Sequence, residues 1–205
     1  MAIKKPDNWE NVKAAAEREK LPVGAYICKI LKAGVRTYES RDGSSTFEKL
    51  EIAFDIAEGD FSGHYKKDFD AQRGEDKKWK GVLRQYLPKD DGTENDEWTK
   101  SALKALIEAV EESNIGYHFD FEHEEQLKGK MIGILFRNEQ WAMGTRNGWK
   151  AQPFRALTVE RVRNGKFTLP ADKPNKNAVS IDVAADTDDF ATIDDDEDLP
   201  FRCIR

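Results

Sequence analysis

His64, His118 and His123 are the only imidazoles in the 205 residues, so acid–base or metal chemistry would have to begin with them. His118 and His123 stand five apart among Asp120, Glu122, Glu124 and Glu125, which superficially matches a metal cluster. The spacing argues otherwise, because along a strand an odd separation sends two side chains to opposite faces. A solvated acidic edge is the simpler reading, with a metal-dependent enzyme as the outlying one. The chain has no Gly-rich loop ending in Lys-Ser or Lys-Thr, no nucleophile elbow and no Cys-x-x-Cys. No enzyme, metal or other cofactor is expected.

A second constellation interleaves aromatic and basic residues in several groups. Arg36, Tyr38, Arg41, Phe47 and Lys49 form the first, and Arg137, Trp141, Arg146, Trp149 and Lys150 the second. Lys77-Lys78-Trp79-Lys80 forms a third, and Tyr65, Lys66, Lys67 and Phe69 extend the set. The chemistry that uses both types is binding of unpaired nucleic acid. Exposed bases stack on rings, for roughly 1–3 kcal/mol each and with little sequence preference, while Lys and Arg neutralise phosphates and release counterions. RNA and DNA are not separated by stacking. The competing reading is structural: Tyr26, Phe54 and Phe136 belong in a core, Trp141 and Trp149 flank a turn where they can pair with each other, and Trp79 can pack back.

These residues need elements to hold them. Asp7–Lys20 reads as a helix, with Asp7 and Glu10 at capping-box spacing, Trp9, Val12 and Ala16 on one face, and Pro22 stopping it. Residues 25–38 read as a strand whose lone Gly34 suggests a bulge. A second strand covers about Phe47–Ala57, with Leu50, Ile52, Phe54 and Ile56 pointing one way and Phe47, Lys49, Glu51 and Asp55 the other. A third is expected at about Phe61–Phe69.

Residues 70–97 are polar and turn-rich, apart from Val82, Leu83, Tyr86 and Leu87. Leu103, Leu106, Ile107 and Val110 make the stripe of a helix over about Thr99–Ser113, ended by Asn114 and Gly116. A short strand at Tyr117–Phe121 is optional. Strands continue at about Gly129–Met143 and Trp149–Arg163, around a turn at Arg146-Asn147-Gly148-Trp149. Three strands, a helix and two strands, with a kinked first strand, is the order of an OB-fold, a five-stranded Greek-key barrel; a small antiparallel sheet with a packed helix is the alternative. OB barrels bind nucleic acid across one face and with the loops joining strands 1–2 and 4–5, where the first two aromatic–basic groups lie. The only firm internal helix carries Glu108, Glu111 and Glu112, so no basic helix is offered to a duplex groove.

Charge divides the chain further. The net charge is −6, but residues 178–201 contain nine acids and no Lys or Arg. Removing those nine acids, and Arg202 and Arg205 beyond them, from the chain's 39 acids and 33 bases leaves 30 acids and 31 bases in residues 1–177. The acidic pI of 5.3 therefore belongs to the tail and says nothing against phosphate binding by the body. Three parts are expected: a helical extension at 1–22, a nucleic-acid-binding domain at 23–169, and a disordered acidic tail at 170–205. With 35% charged residues, mean hydropathy of −0.76, no stretch of about 20 apolar residues and no apolar leader, a soluble cytoplasmic protein is expected. Two isolated cysteines suit a reducing compartment.

The tail ends in Asp194-Asp195-Asp196-Glu197-Asp198-Leu199-Pro200-Phe201, followed by Arg202-Cys203-Ile204-Arg205. Carboxylates that steer to a basic rim, and one Phe that fills a small pocket, make a linear docking motif. This tip resembles those of bacterial and phage single-stranded-DNA-binding proteins. Gly24-Ala25-Tyr26 and Leu50-Glu51-Ile52-Ala53-Phe54-Asp55-Ile56-Ala57-Glu58-Gly59 resemble a family of phage-encoded proteins from replication and recombination modules. The resemblance implies a non-enzymatic single-stranded-DNA-binding protein acting in the host cytoplasm during phage DNA replication or recombination. Asp194–Phe201 would then recruit partner proteins from those processes. It leaves open a homo-oligomer, and an OB-fold adaptor that docks such proteins without touching DNA.

Overall fold

The computed structural model describes residues 4–11, 20–40, 43–144 and 146–175. Five strands form one antiparallel sheet: β1 (Ala25–Glu39), β2 (Thr46–Ile56), β3 (Val82–Tyr86), β4 (Met131–Met143) and β5 (Arg146–Leu157), in the order β3-β2-β1-β4-β5. Three helices accompany them: α1 (His64–Ala71), α2 (Glu94–Ser113) and α3 (Val159–Arg163). The molecule is therefore mainly β, an open five-stranded sheet with α2 between β3 and β4, and this is consistent with an OB-like fold. Among the described residues no helix is long and apolar enough to cross a membrane.

One sheet face makes the core. Ile30 of β1, Ile52 and Phe54 of β2, and Ile132, Ile134 and Phe136 of β4 are fully buried, as are Val110 of α2 and Leu127. Phe136 meets both Tyr26 and Phe54 edge-on, with ring centroids at 5.4 and 6.1 Å. On the opposite side of the sheet α3 covers Gly133, where a Cβ would lie 2.6 Å from Val162 Cγ2.

The bulge in β1 is not at Gly34. Ile30 pairs with Phe54 and Lys32 with Ala53, so Leu31 is the extra residue, while Gly34 pairs regularly with Glu51. This bulge moves the core-facing parity from Cys28 and Ile30 to Ala33.

The expected third strand at 61–69 is instead helix α1, and β3 comes later. Asp55 of β2 explains the difference: its Oδ1 accepts from the Tyr65 N–H at 3.0 Å and its Oδ2 from the Lys66 N–H at 3.2 Å. A carboxylate from a neighbouring strand thus satisfies the first helical donors, a capping role that no local pattern announces.

Smaller differences have equally local causes. α2 begins at Glu94, earlier than expected, because Thr93 caps it by accepting from the Asp96 N–H at 3.2 Å. Tyr117–Phe121 forms no strand; the Asn114 amide donates to the Met131 carbonyl at 2.8 Å and tethers the preceding turn to β4. The β4–β5 turn lies before Arg146, which already pairs with Met143. β5 stops at Leu157 because Thr158 caps α3. Of the expected N-terminal helix, a 3-10 turn at Trp9–Asn11 is described and residues 12–19 lie outside the described chain. Residues 171–175, expected to be disordered, run beside β4: Lys173 pairs in parallel with Glu139, and its carbonyl accepts from the Gln140 N–H at 2.9 Å.

Candidate nucleic-acid interface

Beyond the Leu31 bulge, the non-core face of β1, β2 and β3 carries a row of rings and cations. Tyr38 pairs with Phe47, Arg36 with Lys49, and Lys49 in turn with Tyr86. Directly opposed residues share a face, so these five side chains lie together. Tyr38 and Phe47 are stacked, with centroids 5.7 Å apart and planes 10° from parallel, and Phe47 meets Tyr86 at 5.5 Å. Lys49 Nζ lies 4.8, 5.2 and 4.5 Å from the centroids of Tyr38, Phe47 and Tyr86. Arg36 adds a guanidinium 5.3 Å from the Tyr38 ring. Each such pair is worth about 0.5–1 kcal/mol at an exposed site, and together they hold the lysine among the rings.

A buried acid anchors this row. Glu51, only 2% exposed, accepts a short hydrogen bond from the Tyr38 hydroxyl and a bond from Arg84 Nε at 2.9 Å. Burial, and then the hydrogen bond to Glu51, raise the Tyr38 pKa above its usual value, so the hydroxyl stays a donor. Sequence reasoning does not select Glu51, Arg84 or Tyr86 as site residues. The signal for Tyr86 is the alternation Val82-Leu83-Arg84-Gln85-Tyr86, hidden in a segment too short and polar to stand out. Arg41 lies outside the described residues.

The second group sits on the β4–β5 ribbon, where register divides it. Trp141 pairs with Gly148, whereas Trp149 pairs with Gln140. The two tryptophans therefore lie on opposite faces and cannot pair with each other. Trp141 lies over Gly148, at which a Cβ would come within 2.9 Å of the indole. Arg137, Arg146 and Lys150 share the Trp141 face, opposite Gln152, Met143 and Glu139 respectively. Arg137 is held by a short ion pair to Glu139 and by the Phe154 ring 4.2 Å away.

The third group packs against α1. Tyr65 departs from expectation: it lies on α1, 7% exposed, with its ring edge-on to Phe54 at 5.4 Å, so it is core and not a stacking surface. Trp79 also turns inward, its indole N–H donating to the carbonyls of Phe54 and Gly81 at 3.1 and 3.2 Å. Lys80 bridges Asp68 at 3.2 Å, Lys77 Nζ donates to the Asp70 carbonyl, and the Lys78 N–H donates to Gln72. Lys67 is exposed on α1. The Lys80 and Lys77 ammonium groups are thereby tied to the α1 corner.

Tail residues Asp194, Asp195, Asp196, Glu197, Asp198, Leu199, Pro200 and Phe201 lie outside the described residues. His118 and His123 have separate acidic neighbours. His123 Nδ1 is 2.8 Å from Asp120, and the hydrogen bond raises the imidazole pKa, while His118 Nδ1 is 3.9 Å from Glu111. Among the described residues no three His, Cys, Asp or Glu side chains are grouped to hold a metal ion. No protein-family model and no curated protein matches the chain.

Proposed function

We propose that the chain binds single-stranded nucleic acid, DNA first, without sequence specificity, as a phage-type protein of replication or recombination. The observation that carries this reading is the Tyr38, Phe47 and Tyr86 row around Lys49, on the non-core face of β1–β3. Bases stack on the rings while Lys49 and Arg36 meet phosphates, with the Trp141 face of the ribbon as a second contact. Part of the reading is an OB barrel in which β3 and β5, which approach one another without a ladder among the described residues, close the sheet. The acidic tail then recruits partner proteins of the same processes. The test is anisotropy of labelled oligo-dT with the full chain at low and high salt, with duplex DNA and oligo-rU as comparisons. Salt-sensitive binding of the single strand in preference to the duplex is expected. No single-strand binding by the full chain, or by one ending at Asn177, overturns the reading in favour of a protein-docking adaptor.

A further inference from the structure

Next to the ring row, a cavity of about 370 Å³ opens between the end of β3 and the first turn of α2. Its apolar wall is Phe47, Tyr86, Leu87 and Trp98. The last of these is 65% exposed, although it belongs to a well-packed helix whose Leu103, Leu106 and Val110 are buried. Trp98 stands apart from the ring row, yet it faces the same cavity as two of its members.

The cavity is preformed. Asp96 Oδ1 accepts from the N–H groups of Lys89 and Asp90 at 2.7 and 3.1 Å, and Lys100 Nζ bridges Asp90 and Asp96 at 2.9 and 3.0 Å. Thr93 caps α2 and donates its hydroxyl to Asp91 at 2.7 Å. The loop from Lys89 to Thr93 is thus fastened to the helix, and the wall opposite the rings is held by hydrogen bonds that a ligand need not create.

We propose that this cavity is a pocket for one unpaired nucleobase, continuing the strand path from the β1–β3 face, with Trp98 as its stacking residue. The proposal rests on the single-strand reading and adds a site to it. Continuity selects the occupant: Phe47 and Tyr86 are both the last rings of the row and the near wall of the cavity. Size agrees, since the volume lies at the lower end of the roughly 300–1,000 Å³ of small-molecule pockets. Charge disfavours the rival within this chain. The lining sets Asp91 and Asp96 against one cation, Lys89, with Glu94 and Glu97 beside them and Lys100 engaged by Asp90, Asp96 and Glu97. The balance stays negative, which disfavours the carboxylate-rich stretch 178–201 but not the neutral face of a base. With Lys89 outnumbered by the acids around it, the pocket contributes by stacking on Trp98 rather than by counterion release.

Stacking without counterion release has a distinctive readout. Full-length protein, Trp98→Ala and Trp98→Phe are titrated with a length ladder of labelled oligo-dT at low and high salt. Trp98→Ala is expected to weaken binding about tenfold on longer oligonucleotides and not on the shortest that bind. The factor should be the same at both salts, and Trp98→Phe should retain most of the affinity. Wild-type affinity in Trp98→Ala at every length overturns the pocket and leaves the ring row standing. A loss that fades at high salt, as a lysine contact does, also overturns it. Absence of single-strand binding by the unmodified chain overturns the functional reading first, and the pocket with it.

Discussion

The β1–β3 face and the β4–β5 ribbon are built from the same residue types and end up organised differently. On the first, Tyr38, Phe47 and Tyr86 surround one lysine, and Tyr38 is anchored to a buried carboxylate. On the second, a register offset of one residue puts Trp141 and Trp149 on opposite sides. Composition places rings and cations in a segment, but parity decides whether they make a surface. A three-stranded face can also recruit an anchor from its middle strand, which a two-stranded ribbon lacks.

Glu51→Ala should have the largest effect, because it strips the acceptor from both Tyr38 and the Arg84 guanidinium. A stability loss of about 2–3 kcal/mol is expected in denaturant unfolding, with weakened oligo-dT binding in the population still folded. Wild-type stability would mean that the face needs no anchor, and the contrast with the ribbon would collapse. Tyr38→Ala should weaken oligo-dT binding about tenfold at all salts, whereas Lys49→Ala should lower the slope of log affinity against log salt by about one phosphate contact.

On the ribbon the two tryptophans should behave unequally. Trp141→Ala should cost about fivefold in affinity, because Trp141 shares its face with Arg137, Arg146 and Lys150. Trp149→Ala should leave affinity near wild type. Equal losses in a parallel anisotropy titration would break the two-sided description.

The smallest effect concerns neither surface and serves as a control. His123 should titrate above 6.5 in an NMR pH series, because Asp120 favours the imidazolium, and Asp120→Asn should bring it down. Since the folded-state value is raised, the stabilisation is full below the ordinary histidine value and is lost as pH rises through the raised one. Oligonucleotide affinity should not track that titration.

Periodicity makes much of this architecture legible. The alternation in β2 places Leu50, Ile52 and Phe54 in the core and Phe47, Lys49 and Glu51 opposite, as the register has it. The stripe of α2 is equally plain. The features that escape depend on partners distant in sequence. α1 reads as a strand because its cap is Asp55, from another element. The exclusive faces of Trp141 and Trp149 follow from a register in which Arg146 pairs with Met143, and a shift of one residue there reverses every assignment. Trp98 gives no signal because it sits just before the apolar stripe that identifies its helix. The functional candidates Arg36, Tyr38, Phe47 and Lys49 are recognisable by type, and the fold brings these four together.

Leu31, finally, bears on how this chain tolerates changes in length. Residues can be gained or lost in the turn after β1 with little consequence for the strands beyond it, because each strand is repositioned by its own pairing. Deleting Leu31 acts inside the strand itself. It removes the extra residue of β1 while β2 keeps its count, so Lys32 would follow Ile30 in plain alternation and Ala33, Arg36 and Tyr38 would keep their partners and faces. The bulge behaves like a spare step written into the strand: it can be given up without exchanging inside for outside in the pairs beyond it.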